Sequence, residues 1–480
     1  MRPITIPSFE PPTPAPSPTP SGDSYFTHTF DRLDRLSRDF NSLTSSHRQA
    51  LLSALLSNAD TATLSFVLNY VSPLLKKDPF RVLPNEVCWR ILAYVDPNTL
   101  SKASQVSKRW AEVVSDDLIW KNLCDRLNYT DTISDTYKSL FKQRHMVESS
   151  WTSGGLTTAR HVTTDQGVVT CLSSTTKYII VALDNSRIHV FSSAGELLHT
   201  LTGHVMGVWA IMPWDDILVS GGCDRDVRVW DLITGECISV LHGHTSTVRC
   251  LKMSDSRTAI SGSRDASLRV WDIETGVCIN VLLGHQASVR CLEVQGDICV
   301  SGSYDTTAKV WSISRGVLLH TLSGHFSQIY ALAFDGVRIA TGSLDTSVRI
   351  WSAESGQCLA ILQGHTSLVG QLQMAGNTLV TGSSDGSTRV WDLRTMSCVH
   401  RLAAHDNSVT TLQFDSRRIV TGGSDGRVKL WDIRTGHHIR DLPCSYDAVW
   451  RVAFKRDKLV ILASTNNRTH MELISFAPPP

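Results

Sequence analysis

One tryptophan recurs at an almost constant interval in the second half of the chain, and this interval restricts the possible fold more than any other feature. Successive copies are 41, 40, 40, 40 and 40 residues apart. A histidine lies upstream of each copy, and an aspartate stands six residues before it. A period near 40 with Gly-His and Trp-Asp signatures predicts a β-propeller with four strands per blade. The six marker residues are Trp230, Trp271, Trp311, Trp351, Trp391 and Trp431.

Two degenerate units flank the six clear ones and bring the predicted number of blades to eight. Phe191 replaces the tryptophan in the first, and the last runs from AVWRVAF to HMELISF. Few residues remain after Phe476, so the eighth blade lacks an outermost strand of its own. Because an unpaired sheet edge is a liability, we expect residues 157–163 (TTARHVT) to pair into the last blade. The predicted propeller spans residues 156–476.

The repeated histidines and aspartates have a structural explanation that outweighs a catalytic one. The pattern resembles the WD-repeat family, in which the loop histidine, the turn aspartate, a strand serine or threonine and the tryptophan form a buried hydrogen-bond network. Repetition in every blade is what a scaffold role predicts, since buried polar groups need partners. The cysteines also recur at fixed positions in the repeats, which indicates small strand residues rather than nucleophiles.

The first third of the chain divides into four segments. Residues 1–22 hold eight of the seventeen prolines and few apolar side chains, so we expect a disordered tail. The tail carries Thr13-Pro14, Ser17-Pro18 and Thr19-Pro20, which are candidate proline-directed phosphorylation sites. Leucines at helical spacing predict a helical region over 30–77, in which Ser46 and Gln49 have the form of a capping box. A three-helix module is predicted over 78–124, and a helical linker over 125–155.

Residues 78–124 carry a specific resemblance. The sequence LPNEV, an Ile-Leu pair, the sequence VSKRW and a later tryptophan together resemble an F-box. The resemblance implies that the module binds the small adaptor of a cullin–RING ubiquitin ligase through apolar anchors in a groove. The residues that fall on the adaptor-binding positions are Leu83, Pro84, Val87, Ile91, Leu92, Val106 and Trp110.

Positions at which the repeats differ from one another are the candidates for function. Arg249 and Arg290 stand five residues after the repeat histidine, whereas Arg264 and Arg225 flank the turn aspartate. Both types of loop open on one face of a propeller, so the four arginines are predicted to meet at one rim. Guanidinium groups bind phosphate through two parallel hydrogen bonds, and a phosphorylated side chain supplies three acceptor oxygens. Trp209, Tyr304 and Tyr330 occupy neighbouring positions that would pack against a bound peptide.

The order of these segments resembles the archipelago-type F-box/WD-repeat proteins, which are substrate receptors of SCF ubiquitin ligases. The resemblance implies recognition of phosphorylated Thr-Pro or Ser-Pro degrons, with Arg249, Arg264 and Arg290 holding the principal phosphate. It also implies homodimerisation through residues 30–77. Two departures affect blade detail only: Trp-Ser replaces Trp-Asp at Trp311 and Trp351, and Ala-His replaces Gly-His at His405. A third, the lack of an evident basic nuclear-import run, leaves the location open. Supporting peptide contacts are implied for Arg225, Ser246, Thr247, Trp209, Tyr304, Tyr330 and Arg451.

Composition narrows the remaining possibilities. A formal charge of +1 gives no general attraction to nucleic acid, and the apolar runs are too short to span a membrane. We expect no catalytic residues, metal site or cofactor, and a location in the nucleus, the cytoplasm or both. Two alternatives stay open: an F-box/WD-repeat receptor whose substrate choice is independent of phosphate, and a propeller scaffold without ligase function.

Overall fold

The computed structural model describes residues 23–75, 78–127, 129, 136–162, 167–442, 446–466 and 468–477. The predicted disordered tail, residues 1–22, therefore lies outside the described residues. The chain forms two compact units, Met1–Leu123 and Cys124–Pro480. No helix in the described part of the chain is long and apolar enough to cross a membrane.

The first unit is helical. Three helices precede the F-box region: α1 (Asp23–Ser42), α2 (Ser45–Ser57) and α3 (Thr61–Leu75). The N-cap of α2 is Thr44, so the predicted capping box at Ser46 is wrong and that residue lies in the first turn. The leucines at helical spacing in α2 are exposed, and no residue of this helix is buried.

The F-box region has five short helices instead of the three predicted. These are α4 (Pro79–Val82), α5 (Asn85–Leu92), α6 (Pro97–Ala103), α7 (Lys108–Val114) and α8 (Asp117–Arg126). Leu100, Ala103, Val106 and Trp110 have the spacing of one helical stripe in the sequence but are divided between two helices. The division arises because Ser107 caps α7, its side chain accepting a hydrogen bond from the Trp110 amide at 3.3 Å. Asp96 caps α6 in the same way, which explains the break at Pro97.

The second unit contains a linker helix and the predicted eight-bladed propeller, which confirms the fold class. The linker helix α9 spans Tyr137–Ser153 and is followed by strand β1 (Leu156–Val162). Blades 1 to 4 comprise β2 (Val169–Ser174), β3 (Tyr178–Leu183), β4 (Ile188–Ser192), β5 (Leu197–Leu201), β6 (Val208–Trp214), β7 (Ile217–Gly222), β8 (Val227–Asp231), β9 (Cys237–Leu241), β10 (Val248–Met253), β11 (Thr258–Ser263), β12 (Ser267–Asp272), β13 (Val277–Leu283), β14 (Val289–Gln295), β15 (Ile298–Ser303), β16 (Ala308–Ser312) and β17 (Val317–Leu322).

Blades 5 to 8 continue the same pattern of four antiparallel strands. Their strands are β18 (Ile329–Phe334), β19 (Arg338–Ser343), β20 (Val348–Ser352), β21 (Cys358–Leu362), β22 (Val369–Ala375), β23 (Thr378–Ser383), β24 (Ser387–Asp392), β25 (Ser397–Ala403), β26 (Val409–Phe414), β27 (Arg418–Gly423), β28 (Val428–Asp432), β29 (His438–Asp441), β30 (Ala448–Lys455), β31 (Lys458–Thr465) and β32 (Arg468–Ser475). The first strands of neighbouring blades contact one another all the way round, and β30 meets β2 to complete the ring.

The ring is closed by the strand that precedes the first blade. β1 pairs antiparallel with β32, so the last sheet has the order β1-β32-β31-β30. This confirms the predicted pairing for residues 157–162, while Thr163 lies outside the described residues. The closing strand gives the eighth blade the fourth strand that its own sequence lacks.

The linker helix packs against the last blade. The ring of Trp151, near the end of α9, stacks on Phe476 with centroids 3.7 Å apart and meets Phe454 edge-on at 5.6 Å. Glu148 of the same helix forms an ion pair with Arg418 in blade 7, whose guanidinium also lies over the Trp151 ring. Apolar packing and a partly buried ion pair therefore fix the helix to blades 7 and 8.

Candidate functional site

A buried polar network holds each of the six clear blades in shape. In blade 2, His204 Nδ1 lies 2.7 Å from Asp224 and Nε2 lies 2.8 Å from the Ser220 hydroxyl, which also accepts a bond from Trp230 Nε1 at 2.8 Å. The same four-residue arrangement recurs in the blades of His244, His285, His325, His365 and His405. These histidines have both ring nitrogens occupied, as a structural role requires.

The network also sets the charge state of its members. Burial alone would raise the pKa of Asp345, but hydrogen bonds from the Ser347 side chain and from backbone amides lower it to about 2. Burial lowers the pKa of His325 although Asp345 acts in the opposite direction. The pair therefore favours a neutral imidazole beside an ionised carboxylate.

A β-bulge in the first strand of every blade creates eight equivalent positions around the central channel. In blade 3 the register shifts between Val248 and Cys250, so Arg249 is the extra residue. A bulge bends its strand and turns one side chain away from the ladder, which makes such positions suitable for binding. Around the ring, the bulge residues are Thr170, Trp209, Arg249, Arg290, Tyr330, Gly370, Thr410 and Trp450.

Five of the predicted residues meet in one continuous group. The Arg249 guanidinium carbon lies 4.3 Å from the centre of a Trp209 ring, and the rings of Tyr304 and Tyr330 are 5.1 Å apart. Burial lowers the pKa of Arg249, and the positive charge of Arg290 lowers it further, while Tyr304 acts in the opposite direction. Two half-buried guanidinium groups thus repel each other between aromatic side chains.

The other predicted residues belong to loops at the same end of these strands. Arg264 follows the end of β11, and its amide donates to the Thr247 carbonyl at 2.8 Å. Ser246, one residue earlier, accepts a bond from the Ser263 hydroxyl through its carbonyl at 3.0 Å. Arg225 follows the end of β7 with a φ of 74°, a left-handed conformation. Both Arg225 and Arg264 are exposed.

In the part of the chain that the structure describes, no salt bridge involves Arg225, Arg249, Arg264 or Arg290. Other basic residues of the same blades are neutralised: Arg257, at the opposite end of blade 3, pairs with Asp272 at 2.7 Å. Unneutralised guanidinium groups beside aromatic rings form a surface suited to an anionic peptide, which we call the arginine face and define by these four arginines.

Arg451, which stays a predicted peptide contact, and Trp450, which the sequence analysis did not single out, stand next to each other in the first strand of blade 8. Arg451 lies one position past the bulge of β30, and its Nη2 donates to the Thr170 carbonyl of blade 1 at 3.3 Å. Trp450 is the bulge residue instead, and it is half-buried. Blade 8 has no repeat tryptophan from which to count, so only the strand register reveals this equivalence.

Several of the described thiols of the propeller occupy one repeated strand position. Cys237 stands opposite Trp230 on the neighbouring strand, and Cys278, Cys358 and Cys398 occupy the same position in other blades. Burial raises the pKa of Cys250 to about 12, which keeps it protonated. No cluster of side chains that could hold a metal ion occurs among the described residues.

The F-box region exposes apolar side chains on several helices. Val87 and Ile91 lie four residues apart on one face of α5, and both are exposed, as are Pro84 and Val106. Among the other predicted adaptor-binding residues, Leu83 is half-buried and Leu92 is in the core. Trp110 packs edge-on against Phe80 at 4.3 Å, and its Nε1 donates to Asp78.

The F-box region also exposes two large apolar residues that the sequence analysis did not predict. Val82 and Tyr94 are 69% and 88% exposed and were not among the predicted residues. Each is the last or nearly the last residue of a short helical turn, where the sequence pattern does not show which side faces solvent.

Comparison with known proteins supports the prediction of an F-box and the prediction of WD repeats. Residues 80–126 match the F-box-like family, and six segments match the WD domain, G-beta repeat. These segments are 195–231, 235–272, 276–312, 316–352, 356–392 and 396–432.

Two curated relatives and one solved structure illustrate the similarity. Cell division control protein 4 of Saccharomyces cerevisiae is 32% identical over 44% of this chain and 30% of its own length. The probable E3 ubiquitin ligase complex SCF subunit sconB of Arthroderma otae is 26% identical over 42% of this chain and 30% of its own. The match thus spans less than a third of each relative. The crystal structure of the computationally designed Ika8 protein is 34% identical, with a TM-score of 0.60 over 65% of this chain and 97% of that one.

Proposed function

Since this chain belongs to the proteins that combine an F-box-like domain with WD repeats, we propose that it is the substrate-recognition subunit of an SCF ubiquitin ligase. In this role it binds the SCF adaptor through the F-box and a phosphorylated protein through the propeller, which leads to ubiquitination and degradation of that protein. The chain itself carries out no chemical step; its contribution is to hold the client close to the enzymes of the ligase.

The arginine face carries the client-binding half of the proposal. Arg249 and Arg290 repel each other, and no carboxylate among the described residues forms a salt bridge with either, so an anion is the expected occupant. A phosphorylated threonine or serine brings about −1.5 to −2 charges and three acceptor oxygens. The flanking Trp209 and Tyr330 offer flat apolar surfaces to the residues on either side of the phosphate, such as a proline.

A peptide pair tests this half directly. A peptide with one phosphorylated Thr-Pro should bind the full chain, and the same peptide without phosphate should bind at least about 100-fold more weakly, since two or more charge-assisted hydrogen bonds are lost. Equal affinity of the two peptides would instead favour a receptor whose choice is independent of phosphate.

The exposed apolar residues of α5 support the adaptor-binding half. Ile91 is 46% exposed on a helix that buries Cys88 and Leu92 in the core. An Ile91→Asp variant should lose co-purification with the adaptor and cullin while keeping its fold, because no buried contact is removed. Asn98→Asp, on the exposed part of α6, is a matched control that adds the same charge. Retention of the adaptor by Ile91→Asp would favour a scaffold without ligase function.

We propose further that residues 30–77 form a homodimer. In α2 and α3, Leu55, Phe66, Leu68 and Tyr70 are each at least 60% exposed, which is unusual for large apolar side chains. Light scattering of the full chain should give twice the monomer mass. The double variant Leu55→Asp/Leu68→Asp should give the mass of one monomer. A monomeric wild type would refute this.

A further inference from the structure

The distribution of Ser/Thr-Pro dipeptides leads to an inference about how the arginine face is regulated. The chain contains four such dipeptides, and three of them, at Thr13, Ser17 and Thr19, lie within eight residues of the N-terminal tail. The fourth is Ser72-Pro73. The chemistry that the arginine face is suited to bind is therefore concentrated in one short segment of this same chain.

We propose that the segment 8–20, once phosphorylated at Thr13, is itself a ligand of the arginine face and excludes other phosphopeptides from it. The inference rests on the proposed function, because it uses the same arginines and the same chemistry. Beyond the proposed function, it names a ligand within this chain, the residues whose phosphorylation creates that ligand, and a way to regulate peptide binding.

Charge supports this occupant. Residues 8–20 contain one acidic side chain, Glu10, and no basic one. Phosphate on Thr13, Ser17 and Thr19 would raise the negative charge of the segment to about −5.5 to −7. Opposite it are four guanidinium groups without carboxylate partners in the described part of the chain. No basic residue of the segment would oppose the approach.

The absence of lysine near the segment favours inhibition of the arginine face over ubiquitination of the chain itself. The first lysine of the chain is Lys76, so no lysine is present in residues 1–75. A client needs an amino group near the degron to accept ubiquitin, whereas this segment has no lysine for more than fifty residues on its C-terminal side. Bound to the arginine face, it would occupy the site without offering an acceptor side chain.

Tethering makes even a weak ligand effective. Where the intervening chain lets the segment reach the arginine face of the same molecule, an effective concentration of about 1 mM would make a tail with an intrinsic Kd of about 10–100 µM weaken a competing peptide about 10- to 100-fold. A tail supplied by a second copy would give a smaller effect that grows with protein concentration.

The test uses the unphosphorylated full chain and a fluorescent reference peptide with one phosphorylated Thr-Pro and flanking residues unrelated to the tail. Its Kd is measured by anisotropy before and after treatment with a proline-directed kinase, with phosphorylation of Thr13 checked by mass spectrometry. We expect the Kd to rise at least tenfold. In the variant Thr13→Ala/Ser17→Ala/Thr19→Ala, which retains Ser72-Pro73, the kinase should leave the Kd unchanged.

The outcomes separate the two proposals. If the reference peptide binds but phosphorylation of Thr13 leaves its Kd unchanged, the regulatory inference is overturned and the proposed function stands. If the reference peptide does not bind the unphosphorylated chain at all, both fail. Inhibition that is independent of protein concentration assigns the ligand to the same molecule, and inhibition that rises with concentration assigns it to a second copy; either result supports the inference.

Discussion

Replacement of Arg249 by alanine is the most direct test of the arginine face. The side chain is half-buried between Trp209 and Arg290, so a bound phosphate would receive two parallel hydrogen bonds from it away from bulk water. Each charge-assisted bond contributes about 1.5–3 kcal/mol, and the remaining arginines recover part of the loss. We therefore expect a net loss of about 2–4 kcal/mol, or a roughly 30- to 700-fold rise in Kd for a phosphorylated Thr-Pro peptide.

Stability should respond far less than binding does. The variant loses the contact of Arg249 with the Trp209 ring, worth about 0.5–1 kcal/mol, but it also removes the repulsion between Arg249 and Arg290. These two effects oppose each other, so the free energy of unfolding should change by less than about 1 kcal/mol. Calorimetric titration and urea denaturation of the same preparation measure both quantities.

Arg257→Ala is the matched control. It removes the same type of residue from the same blade, at the far end of the strand pair, where Arg257 forms an exposed ion pair with Asp272. Its peptide Kd should stay within about twofold of wild type, since the pair is remote from the arginine face and an exposed pair of this kind contributes little to the fold. A similar loss of affinity in both variants, or a change of less than threefold in Arg249→Ala, would refute the argument.

Three further outcomes follow from the scaffold. Arg225→Gly should stabilise the chain by about 0.5–1 kcal/mol in urea denaturation, because it relieves a left-handed backbone, while weakening the phosphopeptide; a loss of stability would contradict this. Ser261→Ala should cost about 2–4 kcal/mol, since it leaves His244 Nε2 and Trp271 Nε1 buried without a partner; a cost below 1 kcal/mol would refute the network's role. Below about pH 6.5 the histidines of the unfolded chain take up protons more readily than the buried ones of the folded chain. The free energy of unfolding should therefore be nearly constant well above that pH and decrease as the pH falls towards 5. An increase in the free energy of unfolding over this range would contradict the reasoning. This follows from the lowered pKa of His325, His365 and His405.

The propeller was predictable from the sequence because its core is periodic. In each clear repeat, one serine or threonine hydroxyl forms hydrogen bonds with both the tryptophan and the histidine. The spacing of these three residue types therefore locates each blade in the sequence. The closure by β1 was also predictable, because an incomplete last blade leaves only one unassigned strand to pair with it.

Prediction failed where local structure depends on contacts that no repeat marks. In the F-box region, the apolar stripe from Leu100 to Trp110 is continuous in sequence, yet one helix ends at Ala103 and Ser107 caps the start of the next. In blade 8, which has no repeat histidine or tryptophan, the bulge residue Trp450 could not be located by counting along the sequence. Strand register, and not residue type, decides which side chain faces the channel.

The pairing of β1 with β32 also determines when the propeller can form during synthesis. Translation produces β1 before any blade and β32 after every other strand, with about 300 residues between them. At about 5–20 residues per second, the ribosome needs roughly 15–60 s to cover that interval. Throughout that time β1 has no partner in its sheet, and the ring stays open. The complete ring of eight blades is therefore available only after β32 has been synthesised, and any site that needs the closed ring, such as the one proposed above, forms only then.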